Sequence, residues 1–261
     1  MKTTAIMNLK GGTGKTITAI NAAAIMGKLH ARNVLLIDAD SQGNLTEFVA
    51  MNPEDVGNTP GTAALLKGNI TAPIETKLPN AWLIPGDDDL MDLDITASKN
   101  GGAKTSAIME MTETAAELGF YDNVLIDCPP AFNAAAIAAL IAADEVLIPV
   151  KLDAFGMRGM ARLVRLISTM QKVNPDLEIA GVLPTMYYSC PVQQKAEQDL
   201  REAMRLLGIR VFPHIRRSTL VDGSTFAQEP LIYFSPKSGA CRDYKIFVRE
   251  LIGEEADING V

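Results

Sequence analysis

KGGTGKT, residues 10–16, is the stretch on which the fold turns. Gly11, Gly12 and Gly14 let the backbone turn tightly and aim its amides inward. Lys15 supplies positive charge for the β and γ phosphates of a nucleotide, and Thr16 offers a hydroxyl to magnesium. An apolar run from Thr3 to Leu9 leads straight into this loop, and a helical pattern from Lys15 to His30 follows it. That order places a helix amino terminus against the anion. Contacts to the nucleotide are therefore expected from Gly11, Gly12, Thr13, Gly14, Lys15, Thr16 and Ile17.

Working outward, β-branched apolar runs recur at Asn33 to Ala39, Trp82 to Pro85, Asn123 to Cys128, Glu145 to Val150, Glu178 to Thr185 and Ile209 to Pro213. Several are unbroken rather than alternating, which suits strands buried on both faces. With helical patterns between them, they predict an α/β fold: a doubly wound, mostly parallel sheet with helices on both faces. No low-complexity linker divides the 261 residues, so residues 1–261 read as one domain, with 51–102 as its most irregular part. Within that part, GDDDLMDLD (86–94) lacks the ligand spacing of a calcium loop and reads as a solvated loop.

Composition excludes several classes. A chain that is 48% hydrophobic is neither disordered nor fibrous. Cys128, Cys190 and Cys241 are spaced neither as a disulfide framework nor as a zinc knuckle. The amino terminus carries no signal-peptide pattern, and the longest apolar stretch, Ala134 to Ala143, is too short to span a bilayer, so a soluble, cytoplasmic protein is expected. Net charge is −7 but uneven: residues 1–150 hold 9 Lys and Arg against 18 Asp and Glu, and residues 151–261 hold 15 against 13. A local basic surface in the second half is compatible with that balance.

The glycine that opens the strict G-x-x-x-x-G-K-[ST] pattern is missing, and Lys10 stands in the loop. KGGTGKT thereby resembles the deviant Walker A motif of the group containing ParA, MinD, the arsenite pump and the nitrogenase iron protein. The resemblance implies an ATPase that closes as a homodimer in its ATP state, with Lys10 reaching the partner's nucleotide. LLIDADSQGN resembles the family's DxDPQGN switch segment, with Ser41 in place of proline. By that likeness Asp38 belongs to the magnesium shell, Asp40 orients or deprotonates the attacking water, and Gly43 and Asn44 shape the switch. YDNVLIDCPP resembles the Walker B string and gives Asp127 to the metal. Lys10, Lys15 and Asp40 are thus the expected catalytic set, and Thr16, Asp38 and Asp127 the magnesium set. Later segments, AADEVLIPVKLDAFGMRG, NPDLEIAGVLPTMY and IRRSTLVDGSTF, are similar to the family too. The likeness implies that Pro213 borders the adenine.

Within the group, the cysteines do not resemble the cluster ligands of nitrogenase iron proteins. The acidic end GEEADINGV is unlike the basic membrane helix of MinD, and no membrane partner is expected. Strand one begins near the third residue, so no operator-reading helix-turn-helix is expected ahead of it. The nearest resemblance is to ParA/Soj partition ATPases. It implies nonspecific binding of double-stranded DNA, a ParB-like partner that stimulates a weak ATPase, and association with the nucleoid in the ATP state. Two basic surfaces suit phosphate contact. Arg158, Arg162, Arg165 and Lys172 share one face of a helical pattern opposite Met160, Leu163, Val164 and Ile167. Arg216 and Arg217 form the second; Arg217 matches a DNA-binding arginine of chromosomal ParA proteins, whereas Cys190 occupies the place of another. The alternatives are an ATPase that positions a protein cargo or conjugative machinery with little DNA role, and a binding module with a dead site. The complete set Lys15, Thr16, Asp38, Asp40 and Asp127 argues against the latter.

Overall fold

The computed structural model describes residues 1–96 and 103–254, apart from the side chains at 94–96, 154, 155, 157 and 158. In chain order the elements are β1 (Lys2–Ile6), α1 (Lys15–His30), β2 (Val34–Asp38), α2 (Asn44–Val49), α3 (Pro53–Asn58), α4 (Thr62–Leu66), β3 (Ile74–Glu75), β4 (Ala81–Ile84), α5 (Asp89–Thr96), α6 (Ala107–Leu118), β5 (Asn123–Asp127), α7 (Ala134–Ala142), β6 (Glu145–Lys151), α8 (Ala154–Met170), β7 (Glu178–Thr185), α9 (Pro191–Leu206), α10 (Thr219–Phe226), α11 (Leu231–Phe234) and α12 (Gly239–Leu251). The seven strands form one sheet in the order β3-β4-β2-β5-β1-β6-β7, parallel throughout except for the short edge strand β3. This is the doubly wound architecture expected from the unbroken apolar runs.

Every residue of β2 and β5 is buried, as unbroken runs require. Successive side chains leave a strand on opposite faces and feed two cores. Leu35, Ile37, Val124 and Ile126 pack with residues of α4 to α9, whereas Val34, Leu36 and Leu125 pack with α1, α2, α11 and α12. The helix α1 has little amphipathic character because it is interior: Ala19, Ala22, Ala23, Ala24 and Ile25 are all fully buried. Its small residues let neighbours approach closely. At Gly27 a Cβ would lie 1.9 Å from the carbonyl oxygen of Pro79.

Two expectations are corrected. The run Ile209–Pro213 does not form a strand; it follows β7 through isolated bridges at Val211 and Arg216. Phe212 and Ile215 donate their amides to Val182 and Pro184; a regular ladder would next need an amide from position 184 to the Phe212 carbonyl, and Pro184 has none, so the alternation is lost there. The stretch 86–94 is not a solvated loop throughout, because α5 starts at Asp89 and buries Leu90 and Leu93. Those leucines lie three apart, one helical step, and Asp89 and Asp92 sit in the first turn, where negative charge suits the helix dipole. The segment 51–102 holds only short elements, α3, α4, β3, β4 and α5, in keeping with the irregularity expected of it. Its residues 97–102 lie outside the described residues, as do 255–261 of the acidic end. No helix among the described residues is long and apolar enough to cross a membrane.

Gly27→Ala should lower stability by about 1–3 kcal/mol, since a methyl group there must displace backbone. Thermal unfolding should show a fall in melting temperature of roughly 2–4 °C per kcal/mol; an unchanged transition would contradict the tight α1 packing.

Candidate nucleotide site

The glycine loop leaves β1 at the carboxyl edge of the sheet and is pinned there from two sides. Asn8, fully buried, donates its side-chain amide to the Pro149 carbonyl at 2.7 Å and accepts from the Lys10 amide at 2.9 Å. Thr185, at the end of β7, donates its hydroxyl to the Thr13 carbonyl at 2.8 Å. Gly12 and Gly14 have φ of 68° and 85°, the left-handed region that glycine adopts without a Cβ clash. Gly14 caps α1 with no side chain closing its amides, and the first turn holds no acidic residue. The open amides and the dipole favour an anion at this position.

A cavity of about 520 Å³ opens over the loop. Gly11, Gly12, Thr13, Gly14, Lys15, Thr16 and Ile17 line its floor, and Asp40, Gln42, Asn44, Glu47 and Phe48 line the side carrying the switch segment. Of the seven loop and helix residues expected at the nucleotide, all seven border this space. Pro130, Met186, Thr225 and Gln228 complete it. Pro130 belongs to the DCPP string, Met186 and Thr225 to the family-like segments 174–187 and 215–226, and Gln228 to a stretch with no signal of its own. Met186 and Gln228 adopt positive φ (53° and 48°), which no side-chain pattern announces. Pro213 does not border this cavity; it lines a separate cleft with Glu197, Arg201 and His214.

Asp38 ends β2 and Asp127 ends β5, and the two stand opposite each other in parallel register. Both are buried. Asp38 accepts from the Thr46 amide at 2.9 Å and the Thr46 hydroxyl at 2.7 Å through one oxygen, and from the Asp40 amide at 3.2 Å through the other. Neither oxygen of Asp127 has a hydrogen-bond partner within normal distance. Burial is the main cause that pushes both carboxyls above the ordinary range. The charge of Asp38 raises Asp127 further, while the nearby Thr16 hydroxyl and Lys15 ammonium oppose the rise. Among the described residues, no three His, Cys, Asp or Glu side chains converge as a metal cage. Magnesium needs only one or two carboxylates beside phosphate and water, and an unpartnered buried carboxylate next to an all-oxygen donor set fits it.

Asp40 borders the cavity at the mouth of the switch, where its side chain accepts from the Gln42 amide at 3.2 Å and its carbonyl accepts from Gly43. Lys10 does not border the cavity: its ammonium lies 2.9 Å from both oxygens of Asp153.

The two basic surfaces fare differently. On α8, Arg162 and Arg165 are exposed while Met160, Leu163 and Ile167 are buried; the side chain of Arg158 lies outside the described residues, and Lys172 sits in the turn beyond the helix. Arg217 is exposed at the end of the run beside β7. Arg216 is exposed too but engaged: its guanidinium forks onto Asp243 at 2.7 and 2.8 Å, and its amide donates to the same carboxylate at 3.0 Å. A Cβ on Gly239 would meet that guanidinium at 2.5 Å, so the chain makes room for the pair.

A sequence-family model described as an AAA domain matches residues 1–179. The chain is 32% identical to the chromosome partitioning protein ParA of Caulobacter vibrioides over 98% of its own length and 96% of that protein's. It belongs to the ParA family of ATPases. Among solved structures, the McdA(D38A)–ATP complex of Cyanothece superposes with a TM-score of 0.82 at 26% identity, covering 99% of each chain. Cobyrinic acid a,c-diamide synthase of Mycobacterium smegmatis with bound ADP and magnesium gives 0.77 at 27%, covering 97% of this chain and 94% of that one. In this ParA-family ATPase Thr46 joins two parts of the switch: its hydroxyl donates to Asp38 and accepts from the Gly86 amide at 2.8 Å.

Thr46→Val should cost about 1–3 kcal/mol by leaving a buried amide and carboxylate short of a partner, and Thr46→Ser should recover most of it. Denaturant unfolding of the three proteins checks this; equal midpoints would remove Thr46 from the argument.

Proposed function

We propose that the whole chain acts as one Mg-ATP-dependent switch in which two copies close around nucleotide, bind double-stranded DNA without sequence preference, and release it when ATP is hydrolysed. The observation that carries this reading is the nearness of the glycine loop to the buried pair Asp38 and Asp127: Lys15 and Thr16, which border the cavity, both act on the Asp127 carboxylate. An anion cradle and a cation-seeking carboxylate pair meet where a Mg-nucleotide would present opposite charges to each.

In this reading the amides of Gly12 to Thr16 and the Lys15 ammonium hold the β and γ phosphates in line for attack. Thr16, Asp38 and Asp127 hold magnesium, which when bound neutralises charge on the phosphate oxygens. Asp40, at the cavity mouth and tethered through its carbonyl to Gly43, orients the attacking water or takes its proton. Lys10 adds positive charge from the opposing subunit. Slow turnover, raised by a small basic ParB-like partner, suits a bound state that has to persist on the nucleoid.

The names of the chromosome-partitioning relatives support the partition role, and the exposed Arg162, Arg165 and Arg217 support contact with DNA phosphates. The pairing of Arg216 with Asp243 narrows that surface. It favours, as a second reading, an ATPase that positions a protein cargo with little use of DNA.

Asp40→Ala should lower ATP turnover on the order of 100-fold or more while nucleotide binding persists; turnover equal to the parent would take Asp40 out of the chemistry. With a nonhydrolysable ATP analogue, DNA retention by the parent should be lost in Arg217→Glu at moderate salt. Equal retention by both proteins would favour the cargo reading.

A further inference from the structure

On the face of the sheet away from α1, toward the β3 edge, lies a cavity of about 530 Å³ that shares no lining residue with the nucleotide cavity. Leu35 of β2 and Leu65 of α4 lie at its floor, and α6 walls it with Ala107, Met111, Ala115 and Leu118, spaced as one helical stripe. The opposite wall is the loop 68–73 between α4 and β3, and that loop is held open. Gly68 turns it at a φ of 86°, Asn69 donates its amide to the Ala64 carbonyl at 3.0 Å, and the Thr71 hydroxyl donates to the Pro60 carbonyl. Ile70 sits between those two anchors and is 93% exposed; Leu118, on the facing wall, is 74% exposed. Anchored neighbours keep Ile70 from folding inward, so the two side chains stand as an apolar pair in water at the mouth of an apolar groove.

The ridge of α6 beside that stripe is acidic. Glu110, Glu113 and Glu117 are spaced i, i+3, i+7, and the helix carries no basic residue of its own. Glu110 is engaged by the Lys104 ammonium and the Ser106 hydroxyl, whereas Glu113 and Glu117 make no ion pair among the described residues. Glutamates three and four apart repel, and Glu117 stands in the last turn, at the negative end of the helix dipole. This arrangement weakens α6 and gives the groove a negative lip. The chain's own remaining segments do not complement it: residues 97–102, ASKNGG, carry no large apolar side chain, and 255–261, EADINGV, carry the same charge as the lip. We propose that the groove docks a basic amphipathic helix of a partner protein, whose apolar stripe covers Ile70 and Leu118 and whose lysines or arginines face Glu113 and Glu117. A small molecule would fill the cavity yet leave Ile70 and Leu118 in water, whereas a helix lying along α6 covers both. At 12 residues α6 is about 18 Å long, which accommodates about three turns of such a partner. The docking is independent of the nucleotide chemistry.

The probe is a fluorescein-labelled synthetic helix of about 14 residues, with leucines at i, i+4, i+7 and i+11 and lysines between them, followed by fluorescence anisotropy at moderate salt. The parent should bind it, and Ile70→Ser combined with Leu118→Ser should weaken binding about 10-fold or more, since two apolar anchors are lost. Glu113→Gln combined with Glu117→Gln should weaken it roughly 3- to 10-fold, a difference that shrinks at high salt. The control Glu202→Gln, on α9, should bind as the parent does. A parent that does not bind overturns the proposal. Equal weakening by Glu202→Gln and by the glutamine pair also overturns it, because the peptide then answers only to the charge of an acidic protein. Equal binding of a peptide with glutamate in place of lysine overturns the basic partner in favour of an apolar ligand. Light scattering without peptide covers the second copy: concentration-dependent association that the serine variant loses would assign the groove to another copy of this chain and overturn the partner helix. Ile70 and Leu118 are exposed, so the serine variant keeps the core intact; should circular dichroism show it unfolded, the glutamine pair decides by itself.

Discussion

Asp127 closes β5 with both carboxylate oxygens buried and unpartnered, directly in register with the buried Asp38 of β2. Two acids in the middle of a parallel sheet repel each other and lose hydration, a cost of several kcal/mol per ion if both stay charged. Much of what surrounds them is positive or polarised to suit. The open amino end of α1, the inward amides of the glycine loop and Lys15 lie on one side, and the hydrogen bonds of Thr46 and Asp40 to Asp38 on the other. A Mg-nucleotide supplies charges of both signs at the position where this chain has arranged their complements.

The second half of the molecule serves that site by bracing it. β6 and β7 hold the loop through Asn8 and Thr185, and they deliver Asp153 to Lys10 and Met186 to the cavity wall. The chain beyond β7 does not extend a regular ladder past Phe212, where β7 presents Pro184. It passes along the sheet through single hydrogen bonds and brings Arg216 to Asp243 of α12. α12 in turn packs on α1, burying Tyr244, Phe247 and Val248 in the core that α1 also lines. The helix that receives the phosphate is therefore held by both the sheet and the carboxyl-terminal helix.

Much was legible locally. Unbroken apolar runs declared buried parallel strands, since water on either face would have demanded alternation. The spacing of glycines and Lys15 declared an anion loop because those positions answer to backbone geometry that a handful of adjacent residues determine. Asp38 and Asp127 could be placed at strand ends, but their opposition in register depends on β2 and β5 being neighbours, and strand order is not written in either strand. The acidic stretch at 86–94 misled because charge density masked a one-turn repeat of leucines whose burial requires the opposing core.

By itself the sequence determined the fold class, the phosphate loop and the acidic strand ends, because each depends on residues close together along the chain. Only the tertiary structure decided that Met186, Thr225 and Gln228 wall the cavity while Pro213 does not, that Arg216 is held by Asp243, and that Lys10 rests on Asp153. The Lys10–Asp153 pair alone joins residues 143 positions apart. What brings them together is strand order and helix packing, which minimise the free energy of the whole chain rather than of any segment.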